Sequence, residues 1–441
     1  MQFATTLGLT NRLAGMRIED VPEPVISSGI LNNTVVFGYT YAQGIKVDTI
    51  PWDSLTHLVL AFFNVDAGGN VVSGAGDVKL AVGTAHQHGV RVIASIGGSG
   101  DPSAILANVL SNNKTRANLV ASVTDTFPNS GQQINDLYLA LRGQRQALDA
   151  KFGDRAKELT MTLYSTDGKF GPSAPKVDAS MFSDIVDYGL LMAYDFFGSW
   201  ADITAPNSPF YDIPGYPGLS FTSAISAWLD AGWSADRLVA GLPYYGRTAI
   251  VESSNGTQFM QNSKAAPPGG PVSKIDGAWT WLDLRDPTDG ALKEPARANQ
   301  GWVRTWDNTT MTPWLLHNVS RTYIGYDDAD SITIKTQHMI EKGLAGAMVW
   351  MINYDYKGEL GAVVDEYTAA CRRLAKAAYE ETASSEFGDE SSSEDVGKYT
   401  SSHGSKGSPS SHNGPNTNSA CRSGVSVLVP AISLLLLAAL H

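Results

Sequence analysis

The residues with the clearest chemical use stand at the ends of apolar runs. Tyr39, Phe62, Tyr194, Tyr245 and Trp350 offer aromatic faces, Asp195 a carboxylate and Arg247 a guanidinium, while Ser95, Gly97 and Gly98 form a small polar turn. Together they make an aromatic cup with one negative and one positive group. Aromatic faces stack on the C–H faces of sugar rings, and a few polar groups orient hydroxyl and amide substituents. Any one of these side chains could serve packing alone. Their shared place at run ends points to a common site, and the chain's ten Trp and seventeen Tyr suit it.

The elements that must position them are short apolar runs alternating with helix-like stretches. The runs are TVVFGYT (34–40), HLVLAFFNV (57–65), RVIASIGG (91–98), LTMTLYS (159–165), YGLLMAYD (188–195), RLVAGLPYYG (237–246) and GAMVWMIN (346–353). Continuous apolar runs read as strands buried on both faces, as in a parallel sheet. A helix such as 134–152 lies between most of them. The pattern predicts a (β/α)8 barrel of the TIM type, whose chemistry sits at the C-terminal strand ends. Residues from 248 to about 320 are too many for a βα loop and predict a small α+β insertion after the seventh barrel strand.

Composition narrows the function. The net charge of -12 includes seven acids between Glu380 and Asp395, and the chain lacks the basic face that nucleic acid requires. Two cysteines, Cys371 and Cys421, supply neither a disulfide framework nor a zinc site, and no metal or cofactor is expected.

Five segments in order resemble glycoside hydrolase family 18, the chitinases and chitinase-like lectins. THLVLAFFNV is similar to that family's second strand, SIGG (95–98) to its third-strand motif, and MAYDFFGSW (192–200) to its sixth. GLPYYGR resembles the seventh and AMVW, ending at Trp350, the eighth; the resemblance spans roughly 33–372. It implies retaining hydrolysis of chitin assisted by the substrate's own N-acetyl oxygen, an exception to the two-carboxylate scheme. It also implies that Tyr194 and Asp195 hold the acetamido group and that Trp350 forms the floor beneath the sugar. Met192, Tyr245 and Arg247 would line the site, Tyr39 and Phe62 would close it, and Ser95, Gly97 and Gly98 would support it from behind.

One segment departs from the family. Its general acid ends a DxxDxDxE motif on the fourth strand, and no such motif lies between Gly98 and Leu159. Glu158 is the only glutamate from 100 to 251 and precedes a strand, at the wrong end of a barrel. The helix-like RANLVASVTDTF (116–127) runs straight into PNSGQQINDLYLAL (128–141). Loss of a strand leaves two raw edges or forces its neighbours to pair in a strained barrel. An absent coding segment is the expected cause. As written, the chain is expected to be inactive or nearly so; the alternative function is a lectin-like chitin-binding surface protein.

The termini suggest location. Residues 1–32 show no clear signal peptide. The barrel is expected over 33–375, a Ser/Gly-rich disordered stalk over 383–424, and an apolar tail over 425–441. That tail resembles a GPI-anchor signal with Asn418 as the attachment residue. Sequons at Asn32, Asn113, Asn255, Asn308 and Asn318 fit a secreted glycoprotein. The expectation is a monomer at the cell surface or wall, bound to chitin or its oligosaccharides and tied to membrane through a lipid.

Overall fold

A computed structural model describes residues 34–72, 78–98, 101–122, 131–165, 178–253, 259–387 and 431–436. Its centre is a ring of parallel strands. They are β1 (Val35–Tyr41), β2 (His57–Val65), β3 (Arg91–Gly98), β4 (Leu159–Leu163), β5 (Tyr188–Leu191) and β6 (Leu238–Pro243). The insertion contributes β7 (Tyr245–Ser253), β8 (Ala278–Thr280), β9 (Trp302–Asp307), β10 (Thr312–His317) and β11 (Thr322–Gly325) before the ring resumes at β12 (Gly346–Trp350). β1 pairs with both β2 and β12, and β12 with β6, so the ring closes there. Where β12 meets β1 the approach is so close that a Cβ on Gly346 would lie 1.9 Å from the Val35 carbonyl oxygen. Only glycine fits.

The ring's strands are nearly all buried, as continuous apolar runs demand. Helices cover its outside. They are α1 (Val78–Gln87), α2 (Asp101–Ser111), α3 (Asn113–Ser122), α4 (Gly131–Phe152), α5 (Phe221–Asp230), α6 (Ala329–Glu341) and α7 (Gly361–Phe387). α6 starts in a capping box, with Asp328 accepting from the amides of Asp330 and Ser331. None of the described helices is long and apolar enough to cross a membrane.

Among the described residues this is an incomplete (β/α)8 barrel, with no fourth strand in chain order between β3 and β4. Between Gly98 and Leu159 the described residues form only α2, α3 and α4. Strands β3 and β4 neither stand open nor pair with each other. The place between them is taken by β13 (Ala431–Leu436), parallel to both, with Ser433 in register with Ser95 and Thr160. These six residues belong to the tail whose sequence resembles an anchor signal.

Two boundaries differ from the sequence reading. The run YGLLMAYD leaves the ladder at Leu191, because the amides of Ala193 and Tyr194 turn back onto the carbonyls of Leu191 and Met192. The insertion begins at Tyr245 rather than 248: β7 pairs with β8 and β11, in a separate antiparallel sheet. Asn113, Asn308 and Asn318 are exposed, as glycosylation requires, whereas Asn32, Asn255, Asn418, Cys421 and nearly all of the 383–424 stalk lie outside the described residues.

At the N-terminal end of the ring, Glu158 spans the place of the absent strand. It accepts from His57 Nε2 at 2.8 Å and from Arg91 Nη1 at 2.5 Å, tying the starts of β2 and β3 to that of β4. Burial raises the Glu158 carboxyl, but the hydrogen bond and charge of His57 and the charge of Arg91 outweigh it, so the net direction is down. A depressed carboxyl contributes stability above the ordinary carboxylate range and loses it as pH falls through its folded value. Glu158→Gln is expected to cost about 1.5–3 kcal/mol at neutral pH. In thermal melts its disadvantage should shrink between roughly pH 5 and pH 3; a constant gap across that range would contradict this account.

Candidate functional site

A cleft of about 290 Å³ opens at the C-terminal end of the ring. Met192, Tyr194 and Asp195 reach it from the turn after β5, Tyr245 and Arg247 from β7, and Trp350 from the end of β12. Six residues distant in sequence thus meet, as the alternation of strands and helices predicts.

Asp195 is the centre of the cleft's charge and the only carboxylate among its lining residues. Arg247 grips it with both ends of the guanidinium, Nε to Oδ1 at 2.7 Å and Nη2 to Oδ2 at 2.6 Å. Tyr245 donates its hydroxyl to Oδ1 at 2.6 Å. Such a bidentate charge-assisted pair is strong and fixes the carboxylate's plane. Burial lowers the Arg247 guanidinium, yet Asp195 reverses this and leaves it raised. Burial, with Asp195 beside it, pushes the Tyr245 hydroxyl well up, so it stays protonated and donates. Burial likewise raises Tyr194, whose hydroxyl donates to Met348 Sδ at 3.5 Å. Trp200 lies against the Arg247 guanidinium, 5.2 Å from ring centre to Cζ.

Tyr39 and Phe62 are not among the lining residues. Tyr39 is fully buried, with its ring 5.3 Å from that of Trp350, and Phe62 stacks on Trp350 at 5.7 Å. They brace the tryptophan from behind. Gly97 and Gly98 adopt φ of 103° and 123°, and the ring of Phe62 lies 3.4 Å from where a Gly98 Cβ would stand. Two positive-φ glycines let β3 end against that ring. The peptide bonds Ala61–Phe62 and Trp350–Met351 are cis, which no sequence feature announced.

Ser95, on β3, and Thr162, on β4, are wholly buried, and among the described residues neither hydroxyl has a hydrogen-bond partner. Both strands border the fourth place. Buried hydroxyls are nearly always satisfied, so two such orphans on the strands flanking the fourth place set that place apart from the rest of the ring. Glu158 does not stand in for an acid here, since it lies at the opposite end of the ring with Arg91 and His57.

The sequence reading missed Tyr41, Tyr354, Thr280 and the other insertion residues on the cleft wall. Tyr354 follows Trp350 by four residues and could have been suspected; Thr280 comes from the far sheet and carries no local signal.

Residues 34–355 match the sequence model of the glycosyl hydrolases family 18. The chain belongs to that family. The family 18 match takes in the barrel and its insertion and ends before α7 and β13. Chitinase A1 of Niallia circulans is 31% identical over 228 residues, which are 49% of this chain and 30% of that protein. A chitinase-like effector of Moniliophthora roreri is 26% identical over 349 residues, 70% of this chain and 85% of that one. The fold resembles a Cycas revoluta family 18 chitinase solved in complex with (GlcNAc)3, with a TM-score of 0.65, 22% identity, and coverage of 76% of this chain and 99% of that one. Family 18 therefore brings to the comparison both chitinases and a chitinase-like protein.

Proposed function

We propose that the cleft binds chitin oligosaccharides and that this chain, as it stands, holds them without cleaving them. The observation that carries the reading is the state of Asp195. It is the one carboxylate among the described lining residues, and Arg247 and Tyr245 hold it in place as an anion. A fixed anion beside neutral Tyr194 and Tyr245 can orient an acetamido group, with Trp350 as a stacking floor beneath the ring. Among the described lining residues no second carboxyl faces it to protonate a leaving oxygen, the step for which this family uses a glutamic acid.

The reading is tested by titrating tri- and tetra-N-acetylchitooligosaccharides onto the full chain by calorimetry. Saturable binding is expected, and Trp350→Ala should weaken it by about tenfold or more, since stacking with the accompanying burial exceeds 1.4 kcal/mol. Absence of binding by the unaltered chain, or equal affinity of the variant, would overturn it.

A second reading is favoured by the orphaned hydroxyls of Ser95 and Thr162. They suit a barrel built around fourth-strand carboxylates, and with those restored the same cleft would act as a substrate-assisted retaining chitinase. In either case we place the protein outside the cell, at its surface or wall, as a lipid-anchored glycoprotein monomer; the exposed Asn113, Asn308 and Asn318 support this location.

A further inference from the structure

Asp195 is held by its main chain as well as its carboxylate. Its φ is +62°, a left-handed conformation that is uncommon outside glycine, although Asp tolerates it better than most residues. The group that hydrogen-bonds its amide is Asn207, wholly buried in the segment before α5. Asn207 Oδ1 accepts from the Asp195 amide at 2.9 Å, and its Nδ2 donates to the Tyr245 carbonyl at 3.0 Å. Its own carbonyl accepts from the Phe196 amide at 3.1 Å. One side chain thus joins the turn after β5 to the first residue of β7, the two elements whose Asp195, Tyr245 and Arg247 meet in the cleft.

The next residue continues the clamp. Ser208 Oγ donates to the Ala193 carbonyl at 2.6 Å. Lys335, fully buried on α6, donates to both the Ser208 carbonyl and its Oγ at 2.7 Å, and to Asp327 Oδ1 at 2.6 Å. Neither Asn207, Ser208 nor Lys335 lines the cleft. They form a buried path from a helix on the barrel's outside to the backbone beneath the carboxylate.

We propose that Asn207 is a positioning residue for the cleft. Through its two amide bonds, anchored by Ser208 and Lys335, it sets the backbone from which Asp195 and Tyr245 present their oxygens to a bound acetamido group. The part concerning the ligand rests on the sugar-binding reading above. The part concerning the backbone does not. With the Asn207 amide removed, the Asp195 N–H is left without its acceptor, and the left-handed turn loses that hydrogen bond.

The experiment compares Asn207→Ala, the conservative Asn207→Asp, and Val364→Ala, a core truncation on α7 away from the cleft, in the full chain. Amide hydrogen exchange is read at Asp195 and at Leu190, and oligosaccharide affinity by calorimetry. In Asn207→Ala, exchange at Asp195 is expected to rise at least about tenfold while Leu190 is unchanged, with affinity falling about tenfold. Asn207→Asp keeps an acceptor for the Asp195 amide and should recover most of the protection, whereas Val364→Ala should lower Tm and leave both readouts alone. Unchanged exchange at Asp195 in Asn207→Ala overturns the clamp whether or not sugar binds. Raised exchange with unchanged affinity overturns its role in binding. If no protein in the set binds sugar, the binding reading fails and the exchange data alone decide the clamp. Should Asn207→Ala not fold, the same criteria apply to Ser208→Ala, read at the amides of Asp195 and Phe196.

Discussion

Hydrolysis of N-acetylchitooligosaccharides by this chain is expected to stay at background, and to rise by about 10²–10⁴ when a strand ending in glutamic acid is built between β3 and β4. The graft would replace residues 123–130, between α3 and α4, with a strand bearing the DxxDxDxE pattern, and would delete Ala431–Leu436, which otherwise hold that place. Its acidic residues would meet the orphaned hydroxyls of Ser95 and Thr162. Its glutamic acid would face a cleft that already holds Asp195 and Trp350. A proton donor contributes only if the rest of the site is preorganised, and the bidentate hold on Asp195 supplies that preorganisation. The same graft ending in glutamine should remain at background. Release of reducing sugar by the unaltered chain would refute the account, as would a folded, sugar-binding graft with no gain in rate.

Lys335→Met should be the most damaging single change away from the cleft, costing about 3–5 kcal/mol. Lys335 and Asp327 are both fully excluded from solvent and 2.6 Å apart. Burial lowers the Lys335 ammonium, with Asp327 and its hydrogen bond opposing. Removing the cation strands an anion in the interior, with only Ser331 Oγ still donating to it at 2.7 Å. Thermal unfolding should shift down by about 10 °C, from roughly 2–4 °C per kcal/mol in a domain of this size. The double change Lys335→Met with Asp327→Asn should regain much of the loss, because no unpaired charge then remains. A shift within a degree or so of the unaltered chain would show that the pair contributes little.

Much of this architecture was readable beforehand because burial on both faces writes itself as an unbroken apolar run. HLVLAFFNV and RVIASIGG are strands over the very residues expected, 57–65 and 91–98. The cleft residues Met192, Tyr194, Asp195, Tyr245, Arg247 and Trp350 were also legible, since each ends or follows such a run. What escaped was set by contacts without period. Asn207 and Ser208 act singly in an irregular segment, and nothing in their neighbours' spacing distinguishes them. YGLLMAYD looked like one strand because its residues up to Tyr194 form an unbroken run that can be buried. Only the backbone reveals that Asp195 sits in a left-handed turn. The absent motif was visible as a gap, but that β13 fills it was not, because pairing between residues more than two hundred positions apart leaves no local trace.

That last pairing makes the order of synthesis matter. β13 emerges after every other strand of the ring, and residues 388–430 separate it from the end of α7. Its docking is therefore a late, non-local event that must overcome the entropy of closing a long loop. Until it docks, β3 and β4 present unpaired backbone edges able to recruit any extended chain, including another copy of β13. If the lipid attachment proposed above takes place at Asn418, it cuts away the same residues, and the anchored molecule and the closed ring are then alternative fates of one segment.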